Sequence, residues 1–152
     1  MRKKIRARPV WHSRLQSFRF EDRIRKEFPN LKLKFVCLKE ETRGAAETLL
    51  KGIETGLSSG QNEPILSLDA DNIYNKKLVR TFESHPDNTV FYFEDHGTNP
   101  RFSYMSIQDG KLFEIVEKKK ISDYASSGAY GFDSIKTLQA GCQRLLESSL
   151  QT

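Results

Sequence analysis

The chain is poor in cysteine and has no long apolar runs, and each shortage excludes a class of protein. Its two cysteines, Cys37 and Cys142, cannot make a disulfide framework and have no partner at metal-ligand spacing. A reducing, cytoplasmic setting is therefore expected. No apolar stretch approaches the ~20 residues that span a bilayer, so no membrane partner is expected. The first residues are charged but lead into no apolar segment, so no secretory signal is expected. Met1 to Arg14 has no acidic residue at all, a composition compatible with an Arg-rich organellar presequence. Internal repeats are absent, and the only low-complexity tract is Lys118-Lys119-Lys120.

What remains is a soluble globular composition, with 37% hydrophobic and 30% charged residues over 152 positions, enough for one domain with a real core. The net charge of +5 conceals an asymmetry. Residues 1–34 hold 12 of the 25 Lys and Arg and 3 of the 20 Asp and Glu, a local charge of +9. The remainder holds 13 basic and 17 acidic groups, a charge of −4. A basic N-terminal arm, residues 1–30, is thus attached to a mildly acidic body, residues 31–152. Two readings fit the arm: a solvated leader, or a segment seeking phosphate or nucleic acid. The first is favoured, because no nucleic-acid module surrounds Trp11, Phe18 and Phe20, and nucleic acid is not an expected partner.

Residues 1–17 show no steady period and carry a breaker at Pro9. Phe18 to Phe28 reads as a helix, with Phe20, Ile24 and Phe28 spaced by four and Pro29-Asn30 closing it. Leu31 to Leu38 alternates and then runs apolar, as a strand entering a buried sheet does. Ala46, Leu49, Leu50, Ile53 and Leu57 repeat at helical spacing, ended by Ser58-Ser59-Gly60. Pro64 to Leu68 predicts a second strand, closing on Asp69-Ala70-Asp71-Asn72. Asn75 can cap a helix carrying Leu78, Val79 and Phe82, with His85-Pro86 ending it, and Thr89 to Phe93 predicts a third strand. Strict alternation of strand and helix predicts parallel βαβ units with their carboxyl ends on one rim. Phe102 to Ile107 and Lys111 to Val116 flank Asp109-Gly110, a hairpin signal. Ala125 to Phe132 reads as a strand returning to the main sheet, followed by a helix with Ile135, Leu138, Cys142 and Leu145 on one face.

Three places carry candidate chemistry. Open α/β sheets bind ligands beyond the carboxyl ends of their strands, where Asp69 and Asp71 stand. Side chains two apart on an extended segment point the same way, so both carboxylates can face one Mg²⁺, which favours oxygen ligands. A polar strand end and a turn residue explain them equally well. Gly44-Ala45-Ala46 at a helix start lets a ligand approach free backbone N–H groups; close helix–sheet packing is the plainer explanation. Glu117-Lys118, at the end of the hairpin, would place a buried lysine beside a carboxylate as a point charge for a phosphate. A solvated charge run through Lys120 is the plainer explanation there.

The order of these features is more specific than any one of them. Gly-Ala-Ala-Glu-Thr at a helix start, a strand ending in Asp-Asn, a hairpin ending in Glu-Lys, and Ser-Ser-Gly-Ala-Tyr on a strand together resemble the sugar-phosphate nucleotidyltransferases. The resemblance runs from about Lys32 to Phe132, roughly two-thirds of the chain. It implies a nucleotide-diphospho-sugar transferase fold: α/β, a Rossmann-like three-layer sandwich with a mostly parallel central sheet plus an antiparallel hairpin. It implies the substrates too, a nucleoside triphosphate and a sugar 1-phosphate, with Mg²⁺ as cofactor. Residue by residue, it implies that Gly44, Ala45 and Ala46 contact the base, and that Asp71, with Asn72 following, binds Mg²⁺. Glu117 would hold sugar hydroxyls and Lys118 the sugar phosphate, with Gly128 and Tyr130 lining the sugar pocket.

The departures from the family pattern are equally definite. Nothing in residues 1–30 resembles the family's Gly-rich signature or the Pro-Lys that follows it, so the fold is expected to be incomplete. Lys119 stands where the family has proline, and Ala45 where it has threonine. The family's later metal-binding aspartate has no clear counterpart. Two other functions fit the same residues. Asp69-Ala70-Asp71 matches the Asp-X-Asp pattern of glycosyltransferases, and a domain that kept the fold without the phosphate loop would be a non-catalytic binding module. Strand edges left unpaired would invite association, which makes a homo-oligomer a further expectation.

Overall fold

The computed structural model describes residues 6–7, 9–13, 18–56 and 62–148, divided between two units. The first comprises Met1–Gln61 with Lys136–Thr152, the second Asn62–Ile135.

Two strands of the first unit lie in the N-terminal stretch that has no periodicity in the sequence. β1 (Arg6–Ala7) and β2 (Val10–His12) pair in parallel with β3 (Lys32–Leu33) and β4 (Val36–Leu38), across helix α1 (Phe20–Glu27). The strand expected over Leu31 to Leu38 is therefore split at Lys34-Phe35. Pro9 is the cause: it has no N–H to donate to a ladder, although its carbonyl still accepts from the Val36 N–H at 3.0 Å. Phe35, set in the gap, meets Phe20 of α1 edge-on, with ring centroids 6.2 Å apart, and lies under the Arg25 guanidinium.

Helix α2 (Ala45–Gly56) packs on β2 and β4. Gly52 permits the approach, since a Cβ there would lie 2.7 Å from Val10 Cγ2. Val36 and Ile53 are buried. The expected helix end, Leu57 to Gly60, lies outside the described residues, as do residues 1–5, 8 and 14–17 of the basic arm. Helix α4 (Ile135–Ser148) buries Ile135, Leu138 and Cys142 as expected. Leu145, expected on the same face, is 61% exposed instead.

The second unit is built around its last strand. β9 (Tyr124–Phe132) pairs antiparallel with β5 (Ile65–Leu68), β6 (Thr89–Glu94) and β7 (Ser103–Gln108), and β7 pairs with β8 (Lys111–Glu117). The register places β6 along one edge of β9, and β5 and then β7 along the other. The mostly parallel central sheet expected from the sequence is not found: this five-stranded sheet is antiparallel throughout. β5 and β6 do run in the same direction, as their strand–helix–strand connection requires. They are not neighbours, because β9 lies between them. The only parallel pairs among the described residues are the short ones of the first unit.

The connection between them, α3 (Lys76–Ser84), follows its local signals closely. The Asn75 side chain accepts from the Lys77 N–H at 2.9 Å, the helix ends at His85, and Pro86 follows. Phe82 is buried against Gly131 of β9, where a Cβ would lie 2.5 Å from its ring. The Asp109-Gly110 turn takes positive φ at both residues, 50° and 73°, the conformation a two-residue hairpin needs. Tyr104 and Met105 of β7 are the largest fully buried side chains.

Candidate functional site

β5 ends at Leu68, and Ala70-Asp71 make a turn that α3 then leaves. Asp69 and Asp71 are thus not two residues of one extended segment, and strand alternation does not explain how they face. Their proximity is electrostatic: burial first, and then the Asp71 charge, push the Asp69 carboxyl above its usual range.

The turn is tied to β9 by backbone and side chain. The Asp69 N–H donates to the Gly128 carbonyl at 3.0 Å. Tyr74, a residue the sequence reading did not single out, places its hydroxyl 3.2 Å from the same N–H, which donates to it. That hydroxyl points its one proton between the carbonyls of Ser127 and Gly128, at 3.1 and 3.0 Å. Asn72 Nδ2 also donates to the Ser127 carbonyl, at 3.3 Å. A half-buried tyrosine hydroxyl needs a polar partner, and this was the available signal: a tyrosine just after an acidic turn.

β9 is deformed where the turn meets it. Phe91 and Tyr92 of β6 pair with Ala129 and Ser126, so Ser127 and Gly128 bulge out of the ladder. Bulges of this kind re-aim side chains and recur beside functional sites. Gly128 has φ +72°, and a Cβ on it would run into the Asp69 carboxylate, with Cγ only 2.8 Å away. Glycine is therefore required twice over, by conformation and by space. Ser127 Oγ donates to the Phe91 carbonyl at 2.8 Å, and Ser126 Oγ lies 2.9 Å from the Tyr130 hydroxyl. Of the residues named from the sequence, Asp69, Asp71, Gly128 and Tyr130 are gathered here.

Glu117 and Lys118 lie at the end of β8, which reaches β9 only through β7. Lys118 is not buried, which departs from the buried phosphate-holding lysine and agrees with the solvated alternative at this position. Its side chain is 71% exposed and pairs with Glu117 at 3.3 Å. Its backbone is the notable feature: φ is +52°, a left-handed conformation uncommon outside glycine and asparagine, with its N–H held by the Phe102 carbonyl at 2.9 Å.

Gly44, Ala45 and Ala46 stand in the first unit, where α2 begins. Close packing is not why glycine occupies position 44, since a Cβ there would meet nothing within 4 Å. Conformation is the reason, with φ at +152°. The loop is clamped on both sides. Thr42 and Thr48 hydroxyls lie 2.6 Å apart, and Glu47 accepts from the Arg43 N–H at 2.7 Å and from its Nε at 3.1 Å. Those bonds to Arg43, with Lys51 beside them, hold the Glu47 carboxyl down at about 2. The exposed loop at Gly44 is therefore held by its own hydrogen bonds.

Among curated protein sequences none matches the chain. Its fold is similar to a nucleoside-diphosphate-sugar pyrophosphorylase from Vibrio cholerae RC9, with a TM-score of 0.71 and 20% identity over 91% of this chain and 58% of that one. It is also similar to a Bacillus anthracis protein described as a glucose-1-phosphate thymidylyltransferase and solved with sucrose. There the TM-score is 0.63 and the identity 20%, over 83% of this chain and 51% of that one. The chain thus spans somewhat more than half the length of each of these proteins. At such identity the likeness speaks for the fold. The family profile described as nucleotidyl transferase matches residues 9–148, which include every candidate site residue. The chain therefore belongs to the nucleotidyl transferase family, the family its succession of motifs resembles.

Proposed function

We propose that this chain serves the transfer of a nucleotidyl group from a nucleoside triphosphate to a sugar 1-phosphate. The products are a nucleotide sugar and pyrophosphate. The observation that carries the reading is the acidic turn seated under the Ser127-Gly128 bulge. It joins Asp71 and the Gly-Ala-Tyr segment of β9, which the family resemblance assigns to metal and sugar, with Asp69 beside them. In the reaction a sugar phosphate oxygen bonds to the α-phosphorus while the bond to the pyrophosphate oxygen breaks. Such transfer relies on positioning and on cations that offset charge rather than on covalent help.

The donor set fits Mg²⁺. Asp69 and Asp71 offer carboxylate oxygens whose mutual repulsion a cation would relieve, and no third His, Cys, Asp or Glu joins them among the described residues. Mg²⁺ commonly takes one or two carboxylates and fills its shell with waters and substrate phosphates. Bound there, it would offset triphosphate charge. Gly44 to Ala46 would offer backbone to the base, Glu117 would orient sugar hydroxyls, and Lys118 would hold the sugar phosphate. Gly128 and Tyr130 would shape the sugar pocket.

Pyrophosphate release from a nucleoside triphosphate plus a sugar 1-phosphate tests the reading, and Asp71→Ala should abolish it. Release that survives Asp71→Ala removes the metal role. The Asp69-Ala70-Asp71 pattern supports a second reading, a glycosyltransferase acting on a nucleotide sugar, which would yield a nucleoside diphosphate instead. Nucleotide binding without turnover at any Mg²⁺ concentration would identify a non-catalytic module.

A further inference from the structure

We infer that Lys120 is the positioning residue that sets Lys118, and with it the affinity for the sugar phosphate; the inference rests on the function proposed above. Lys120 is no member of a solvated run. Its side chain is 24% exposed, against 71% for Lys118. Its ammonium donates to the carbonyls of Asp95 at 2.7 Å and Gly97 at 2.6 Å, and pairs with Asp123 Oδ1 at 3.0 Å. An ammonium has three protons, so these three acceptors saturate it and leave none for a ligand.

The acceptors belong to two separate segments, and each is itself secured. Asp95 follows β6; its carboxylate accepts from the Tyr104 hydroxyl and from the Gly97 N–H, and its own N–H donates to the Asp123 carbonyl at 2.8 Å. Tyr104 is fully buried in β7. Asp123 precedes β9 and also meets His96 Nδ1 at 3.2 Å. Two residues away, the Lys118 N–H is fixed on the Phe102 carbonyl at the far end of the 95–102 loop.

Lys118 therefore turns left-handed between two fixed points, its own bond to Phe102 and the anchor at Lys120. A conformation that is unfavourable on its own persists only where its surroundings impose it. Without the anchor, Lys118 relaxes to an ordinary conformation and its ammonium points elsewhere. Lys120 touches no substrate and acts only through Lys118.

A double-mutant cycle tests this. Calorimetric titration with glucose 1-phosphate, and separately with thymidine triphosphate, is run on wild type, Lys120→Met, Lys118→Met and the double variant. Lys120→Met should weaken glucose 1-phosphate roughly tenfold, the size of one lost charge-assisted contact, and leave the nucleotide unchanged. In the Lys118→Met background the same substitution should have no further effect, which a merely structural lysine would not produce. Equal weakening of both ligands, or an equal effect in both backgrounds, overturns the inference. Wild type that binds no glucose 1-phosphate overturns the parent reading and this one with it. If Lys120→Met does not fold, Asp123→Ala removes one of the three anchors. It should weaken only the sugar phosphate, by a smaller factor, and an unchanged affinity overturns the inference.

Discussion

Replacing Lys118 by glycine should stabilise the protein and, in the same step, weaken its grip on a sugar phosphate. Lys118 has φ +52°, and a left-handed conformation costs an ordinary L-residue about 1–2 kcal/mol. Glycine removes that cost but gives back roughly 0.5–1 kcal/mol through the greater freedom of the unfolded chain. The Glu117–Lys118 pair that is lost has both side chains about seven-tenths exposed, and such pairs contribute about 0–1 kcal/mol. The balance is a gain of about 0.3 kcal/mol, or a rise of ~1 °C in melting temperature for a chain of this size. Urea denaturation at unchanged m-value is the sharper assay. Asp109→Gly serves as control, since Asp109 is left-handed too, at φ 50°, but sits in the hairpin turn away from any proposed ligand. Sugar phosphate affinity should fall by roughly 10- to 100-fold, the range for one charged hydrogen bond. A loss of more than about 1 kcal/mol of stability would refute the strain argument. Intact affinity would refute the phosphate role.

Gly128→Ala should be among the most damaging single substitutions. It combines a left-handed alanine with a clash against Asp69, about 3 kcal/mol in all, read by urea denaturation. Adding Asp69→Ala should restore the steric share; a single-variant loss below about 1 kcal/mol would mean the bulge simply rearranges. Glu47→Gln tests the loop clamp through pH. The Glu47 carboxyl is lowered from 4.5 to about 2 in the folded protein, so its contribution is present above pH 4.5 and is lost as pH falls toward 2. The variant should lose less stability than wild type over that window, and superimposable acid profiles would contradict the clamp.

Local signals in the sequence translated well because each is settled by neighbouring residues. Asn75 caps α3, Asp109-Gly110 turns the hairpin, and Pro86 follows a helix that stops at His85. Partner choice did not translate. The alternation of strand and helix dictates that β5 and β6 run the same way, and it holds no information about what lies between them. The identity of β9 as the strand between them depends on contacts from about 30 to nearly 70 positions away, such as Leu68 with Ala129. β1 and β2 escaped notice for a related reason: they are short, broken by Pro9, and are defined only by pairing with β3 and β4. At the site, Asp69, Asp71 and Gly128 were legible as residue types. Their junction through Tyr74 was not, because a hydroxyl that bridges two carbonyls leaves no periodic trace.

The central place of β9 also bears on how the second unit comes into being. β5 and β6 leave the ribosome long before residues 124–132 do, and their hydrogen-bonding edges have no partner until β9 arrives. A sheet whose middle strand is synthesised last has high contact order and closes slowly, in one late step. Until then Val90, Phe91, Tyr92 and Phe93 form an exposed apolar edge, with Glu94 the one charge in the strand to deter pairing with other nascent chains. The segment that shapes the site is thus also the one whose arrival ends the period of greatest vulnerability to misassembly.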